Sequence, residues 1–381
     1  MTADLQNPDG ELLEIERIEL LGLFRQYDHI IPLQREDRVT ILHGRNGVGK
    51  TVTLSLIAAL LEGNWSRLKD IPFDKLRITF TDGSYLEAVK QQDVVGVWGR
   101  VGQGPPTQIW DSVKSDPRDF TPKPLPWPSM KVPVHFIRTQ RLIDSDNYEA
   151  MVHVLAAEIA KLIHDTEAEF LDVSARLDRD LPARLFRRKT VQAAAAIDPA
   201  EIHRRAELQN SEGQRLFRLG LLGAATRFDT EGLEPAQLAQ LHTYLQDNEK
   251  KLAVFKDLAD RAEILLDILN RKLEPKQVQL DRALGYEVKT HDGQGLALSQ
   301  LSSGEQHELV LLHSLLFRVE RGALLLIDEP ELSLHVTWQT EFLEDLIRIA
   351  KQVGFSAVLA THSPYIVGKR EDLMVRLGAP A

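Results

Sequence analysis

The stretch ILHGRNGVGKTVTLSLIAALL, Ile41 to Leu61, joins an apolar lead-in to closely spaced glycines, a lysine and a threonine, and then a helical pattern. Gly44, Gly49, Lys50 and Thr51 stand at the spacing G-x-x-x-x-G-K-[ST], the phosphate loop. Glycine lets the backbone turn tightly, so consecutive N–H groups point inward at a polyphosphate. The helix expected from about Lys50 adds the positive end of its dipole. In such a loop the lysine reaches the β- and γ-phosphates and the Thr51 hydroxyl ligates Mg²⁺. The bland alternative is a Gly-rich strand-to-helix turn that binds nothing. An apolar strand before the loop (Val39–Leu42) and a helix after it favour the triphosphate site.

Composition bounds what surrounds this loop. At 381 residues the chain has room for one large domain or two ordinary ones. A net charge of −10 argues against a protein that coats nucleic acid over its whole surface, and leaves space for a local basic patch. Cysteine is absent, which excludes disulfides and thiolate metal sites, and the histidines include no H-E-x-x-H. The polar, acidic start MTADLQNPDGELLEIE does not read as a signal peptide. No apolar run approaches the roughly eighteen residues of a membrane span, so a cytoplasmic location and no membrane contact are expected.

Residues 12–33 and 38–42 read as short strands leading into the loop, and LRITFTDGSYLEAV (Leu76–Val89) as a hairpin turning at Asp82-Gly83. From Gly96 to Met130 glycines, prolines and Trp98, Trp110 and Trp127 predict a long loop, a lid or a partner surface. VPVHFIRTQRL (Val132–Leu142) returns to a strand. The middle is helical: Met151, Leu155, Ile159, Leu162, Ile163, Phe170 and Val173 fall at helical spacing within 148–179. From Leu238 to Leu269 apolar residues alternate steps of three and four, a heptad seam with one polar position, Asn248, suited to fixing register. As one helix that stretch is about 50 Å long. Two such helices suggest a short antiparallel coiled coil; an ordinary helical subdomain burying an apolar stripe is the alternative.

Between these helices, Arg176 to Arg218 holds ten lysines and arginines against six acidic residues, densest at Arg184–Lys189. A solvated helical face explains it as readily as DNA or RNA contact does. From Gly285 the pattern returns to β, with a hairpin turning at His291–Gly295, then LSSGEQ, a helix over His307–Glu320, the strand ALLLIDEP, a further helix, and SAVLATHSP. Alternation of strand and helix implies a largely parallel, covered sheet. The apolar strand delivers Asp328 to its C-terminal end, where it suits Mg²⁺, and sets Glu329 to polarise a water. A helix N-cap is the other reading of that pair. LSSGEQ reads both as an N-cap and as a second anion-binding helix start formed by Ser302, Ser303 and Gly304.

The ordered set GRNGVGKT, RTQRL, LSSGEQ, LLLIDEPELSLH and THSP, spanning Gly44 to Pro364, resembles the ATP-binding-cassette ATPases. It resembles the soluble branch that includes the RecF, structural-maintenance-of-chromosomes and overcoming-lysogenisation-defect groups. The resemblance implies that Gly44, Arg45, Asn46, Gly47, Val48, Gly49, Lys50 and Thr51 bind the phosphates of ATP. It makes Gln140 the Q-loop residue at Mg²⁺ and water, and Asp328 the Mg²⁺ carboxylate. Glu329 becomes the catalytic base, Glu331 to His335 the D-loop, and His362 the switch histidine. Ser302, Ser303 and Gly304 become the signature motif, which grips the γ-phosphate held by another protomer. The signature reads Ser303-Gly304-Glu305 where transporters usually carry Gly-Gly-Gln, which favours the soluble branch. Phe24-Arg25 or Tyr27 are the candidates for adenine contact.

The fold expected is thus α/β: a P-loop NTPase of the ATP-binding-cassette type, a mixed sheet with flanking helices and an inserted helical or short coiled-coil subdomain. Residues 1–145 and 281–381 form the two parts of the ATPase head, and 146–280 the insert. The function expected is an ATPase that dimerises on ATP with Mg²⁺ and couples closure to a separate effector, a nuclease or toxin, in nucleic-acid processing or bacterial phage defence. No Toprim nuclease segment is expected after THSPYIVGKREDLMVRL, so cutting would fall to that partner. The competing readings are a transporter's nucleotide-binding subunit and a low-turnover ATP-gated scaffold.

Overall fold

The computed structural model describes residues 13–113, 132–137, 148–185, 198–332, 334 and 336–380. The chain divides into two compact units, one made of Met1–Ser145 with Ser314–Ala381, the other of Asp146–His313. The first unit begins with strands β1 (Ile15–Leu23), β2 (Tyr27–Pro32) and β3 (Val39–His43), then helix α1 (Lys50–Leu61). Strands β4 (Lys75–Phe80), β5 (Tyr85–Gln91), β6 (Val94–Arg100), β7 (Thr107–Asp111) and β8 (Val134–Ile137) follow.

The second unit carries α2 (Tyr148–Leu185), α3 (Pro199–Arg218), α4 (Pro235–Ala253) and α5 (Lys256–Lys272). It continues with β9 (Gln277–Asp281), β10 (Gly285–Lys289), β11 (Gly295–Leu296) and α6 (Ser303–His313). A π-helical turn, Ser314–Arg318, returns the chain to the first unit. There β12 (Leu324–Asp328), α7 (Val336–Val353), β13 (Ser356–Ala360), α8 (Pro364–Val367), β14 (Met374–Arg376) and β15 (Ala379–Pro380) complete the described elements.

Two sheets organise the first unit. One is parallel, in the order β14-β3-β13-β12-β8; the other is antiparallel, in the order β15-β2-β1-β4-β5-β6-β7. Strands β12 and β13 are buried along nearly their whole length, the continuous apolar pattern of a sheet covered on both faces. Helix α1 packs on β8, β12 and β13 from one sheet and on β5 from the other. It therefore has almost no polar face: Leu54, Leu56, Ile57, Ala58, Ala59 and Leu60 are all buried.

Three expectations change in detail. The glycine- and tryptophan-rich stretch opens with two further strands, β6 and β7, instead of a loop. Gly96 is there for packing: a Cβ at that position would stand 2.2 Å from the Trp98 ring, which lies over it. Residues 114–131, the proline-rich remainder, lie outside the described residues. The seam over 238–269 is divided between α4 and α5. The N–H groups of Val254 and Phe255 bond three residues back instead of four, which tightens the turn and seats Phe255 in the interior against Phe170. Asn248 Nδ2 donates to Gln209 Oε1 on α3 at 2.8 Å. The third change is the helix over His307–Glu320, which ends as α6 at His313 and passes into the π turn.

Candidate functional site

In the parallel sheet β13 lies between β3 and β12, so three loops emerge side by side at its C-terminal edge. They are the loop of Gly44–Gly49, the turn after Asp328, and Thr361–Ser363. This is the edge at which α/β sheets bind ligands. Gly47 and Gly49 take φ values of +88° and +89°, which L side chains rarely adopt. A Cβ on Gly47 would meet nothing within 4 Å, whereas one on Gly49 would stand 2.6 Å from Leu23 and 3.1 Å from the Phe24 ring. One side of the loop is open and the other rests on the β1–β2 turn. Phe24 and Arg25 themselves take positive φ there, and Phe24 packs against Gly49.

Lys50, first residue of α1, is buried and donates to the Gly44 carbonyl at 3.1 Å and to His362 Nε2. Burial holds its amino group below the ordinary lysine range, against the opposing pull of Glu329, Asp328 and Glu331. Thr51 Oγ1 donates to Asp328 Oδ1 at 3.1 Å. Glu329 follows in a left-handed conformation, φ +48°, with its N–H donating to the Ala360 carbonyl at 2.8 Å. A non-glycine residue held there stores strain of order 1–3 kcal/mol, a recurrent feature of functional sites. A hydroxyl and a carboxylate in contact beside a glycine-lined cradle form a donor set that fits Mg²⁺ and phosphate. Mg²⁺ commonly takes few protein ligands and completes its octahedron with water and phosphate oxygens.

Four of the sequence-derived residues, Lys50, Thr51, Asp328 and His362, are thus linked by direct contacts, with Glu329 adjoining Asp328. Gln140 lies outside the described residues, as do Ser333 and His335 of the D-loop stretch. Ser302, Ser303 and Gly304 belong to the second unit. The Ser302 hydroxyl accepts from the Glu305 N–H at 3.3 Å, and the Glu305 carboxylate accepts from the Ser302 N–H at 2.7 Å. This is a capping box. Lys276 donates to both Glu305 oxygens at 2.7 Å. Burial opposes the charge on Glu305, but Lys276 and Ser302 overcome it and hold the carboxyl below the ordinary glutamate range.

Several contacts at the site, and the residues Gln339 and His29, were not read from sequence. The Glu331 carboxylate accepts from the Thr361 hydroxyl and from the His362 N–H, each at 2.8 Å. Gln339 on α7 donates to the Glu331 and Leu334 carbonyls at 3.1 and 3.3 Å and accepts from the Ser363 hydroxyl at 3.1 Å. Together they join the turn after β12 to the loop after β13. The available signal was a glutamine in line with the buried stripe Phe342, Leu343 and Leu346 of α7. His29, the inward neighbour of Ile31 on β2, was also missed. Among the described residues no helix is long and apolar enough to cross a membrane. Arg184, first of the basic cluster, is bonded to the buried Asp247 carboxylate on α4; residues 186–189 lie outside the described set.

A glycine loop between β3 and α1, with a carboxylate closing β12 across from it, defines a P-loop NTPase fold. The chain belongs to the family described as "AAA domain, putative AbiEii toxin, Type IV TA system", whose model matches residues 39–368. Two curated relatives are the lipoprotein-releasing system ATP-binding protein LolD of Ehrlichia ruminantium, strains Gardel and Welgevonden. Each is 33% identical over 92 residues, 24% of this chain and 39% of LolD. The chain therefore spans about two fifths of the length of these relatives. Among solved structures, the Smc head domain of Pyrococcus furiosus, bound to the C-terminal domain of ScpA, aligns over 97% of this chain and 96% of its own. Its identity is 14% and its TM-score 0.37. The SMC head domain from Thermotoga maritima aligns over 97% of both chains at 12% identity and TM-score 0.37.

Proposed function

We propose that the chain binds ATP with Mg²⁺ and hydrolyses it, that two copies close head to tail on two nucleotides, and that closure drives a separate effector. The observation that carries the chemistry is the contact set Lys50–His362 and Thr51–Asp328 beside Glu329. In this reading the loop N–H groups and Lys50 bind the phosphates, and Thr51, Asp328 and Gln140 hold Mg²⁺. The metal supplies charge neutralisation at the β- and γ-phosphates. Glu329 accepts the proton of the attacking water, and His362, held through its N–H by Glu331, donates toward the γ-phosphate. The similarity to LolD, an ATP-binding protein, supports ATP as the nucleotide over the matched stretch.

Ser302, Ser303 and Gly304 complete the site from a second copy, because a helix start that binds anions has no second role in a lone nucleotide site. The effector is a nuclease or toxin, and the setting is cytoplasmic phage defence or nucleic-acid processing. The family's description, which names a toxin system, supports this part alone. Glu329→Gln tests the chemistry: nucleotide binding persists while turnover falls about 10²–10⁴-fold, as for loss of a general base. Wild-type turnover in that variant would remove Glu329 from the role. Light scattering on the same variant tests closure, since trapped ATP accumulates the dimer, and Ser302→Arg abolishes it. Wild-type protein that binds ATP but turns over negligibly would favour the gated scaffold instead.

A further inference from the structure

A buried histidine on β2 bonds the phosphate loop from the interior. His29, on β2, is 1% exposed, and its Nε2 lies 2.9 Å from the carbonyl oxygen of Val48. A carbonyl only accepts, so Nε2 carries the proton and donates. Nδ1 is buried and has no hydrogen-bond partner among the described residues, so the neutral Nε2–H tautomer leaves no proton stranded there. The Tyr27 ring lies nearly parallel to the imidazole, 17° between planes and 6.1 Å between centroids, and helps fix its orientation.

Val48 immediately precedes Gly49, and the peptide joining them is planar and trans, with its carbonyl and N–H pointing in opposite directions. A carbonyl drawn inward to His29 therefore turns the Gly49 N–H away from the interior. Val48 is a suitable anchor, since its own side chain is buried and its N–H bonds to Arg45 O at 3.4 Å. The Gly49 carbonyl is held separately, by the Thr53 N–H and hydroxyl at 2.8 Å each, so the imidazole bears on the Val48–Gly49 peptide alone.

We propose that His29 is a positioning residue for nucleotide binding: by holding the Val48 carbonyl it aims the Gly49 N–H at a bound phosphate. This rests on the nucleotide-binding reading above. The donor requirement separates it from simple core packing, because Leu fills much of the imidazole's volume without donating and Gln supplies an N–H at similar reach.

The test uses the full chain and calorimetric titration with ADP and with Mg·ATP. His29→Leu is expected to weaken both affinities about tenfold, as for loss of one well-oriented contact to a charged group. His29→Gln is expected to recover affinity to within about threefold of wild type. Leu binding within twofold of wild type, or Gln as weak as Leu, overturns the assignment. Wild-type protein that binds neither nucleotide overturns the nucleotide reading and this proposal together. Wild-type binding with an unchanged His29→Leu variant overturns this proposal alone. Should the variants not fold, ¹⁵N spectra of histidine-labelled wild type decide: the Nε2–H tautomer at His29 is required, and the Nδ1–H tautomer overturns the proposal.

Discussion

Two helices of this protein begin at sequences that suit an anion, and their first turns are built in opposite ways. Helix α1 starts at Gly49 with no side-chain cap and no acidic residue in its first turn, only the buried Lys50. Its leading N–H groups have no side-chain cap. The carboxylates that act on its lysine, Glu329, Asp328 and Glu331, come from the end of β12 and the turn after it, not from its own first turn. Helix α6 starts at Ser302 with a full capping box, Glu305 reaching back to the Ser302 N–H, and Lys276 paired with that carboxylate. In the nucleotide-binding reading the first start is left for the phosphates, whereas the second is capped by the chain's own side chains. An anion arriving at Ser302–Gly304 therefore meets a turn already in helical register with a carboxylate beside it. Such a turn is ordered before binding, and it gains little from an isolated phosphate.

That contrast can be broken at four points, from the largest effect to the smallest. Lys272 and Glu308, both 2% exposed, pair between α5 and α6. Lys272→Met leaves Glu308 buried without that lysine and lowers the unfolding free energy by about 3–5 kcal/mol, read by urea denaturation. Adding Glu308→Leu recovers most of it; a double variant as unstable as the single one would show that the pair does not anchor α6. Lys50→Ala should weaken ADP binding by roughly 10–100-fold in calorimetry, the range for a hydrogen bond to a charged group. The folded state should barely change, since its partners there are one carbonyl and one imidazole.

Glu305→Ala removes the capping box and should cost about 0.5–2 kcal/mol of stability with no loss of ADP affinity. Affinity falling alongside stability would mean that the two helix starts are not independent in the single chain. The smallest effect is a pH dependence. The folded Glu305 carboxyl lies below its ordinary range, so its contribution is fully present above about pH 4.3. It is lost as pH falls through the lowered folded value. The stability gap between wild type and Glu305→Gln should stay flat at neutral pH and narrow only in that acid window; narrowing near pH 7 would assign the effect to another group.

Where the requirement is local, neighbouring residues state it. The loop at Gly44–Gly49 needs backbone conformations that glycine provides, and a strand buried on both faces, such as Leu324–Ile327, needs an unbroken apolar run. The hairpin at Asp82-Gly83 announces itself through its turn residues, and Ser84 N–H indeed bonds Asp82 Oδ1 at 2.8 Å. The strands β6 and β7 were hidden because glycine serves loops and close packing alike, and only the Trp98 ring over Gly96 tells which. The division of α4 from α5 was hidden because a heptad count continues unchanged through two bonds that tighten by one residue.

The sequence alone therefore determined the phosphate loop, the acidic strand end at Asp328-Glu329, the order of the motifs and the cap at Ser302. Each is a demand that a few adjacent residues meet through backbone dihedrals, dipoles or burial pattern. Only the tertiary structure decided that Lys50 meets His362 across 312 positions and that Thr51 meets Asp328 across 277. It also decided that Glu331 and Gln339 bind the two loops together and that His29 stands beneath Val48. The Lys50, Thr51 and Glu331 contacts follow from the order of strands in the parallel sheet, with β13 between β3 and β12, and the His29 contact from the antiparallel sheet that carries β2. That order is chosen by how the buried faces pack together, a property of the whole assembly of strands that no short run of residues contains.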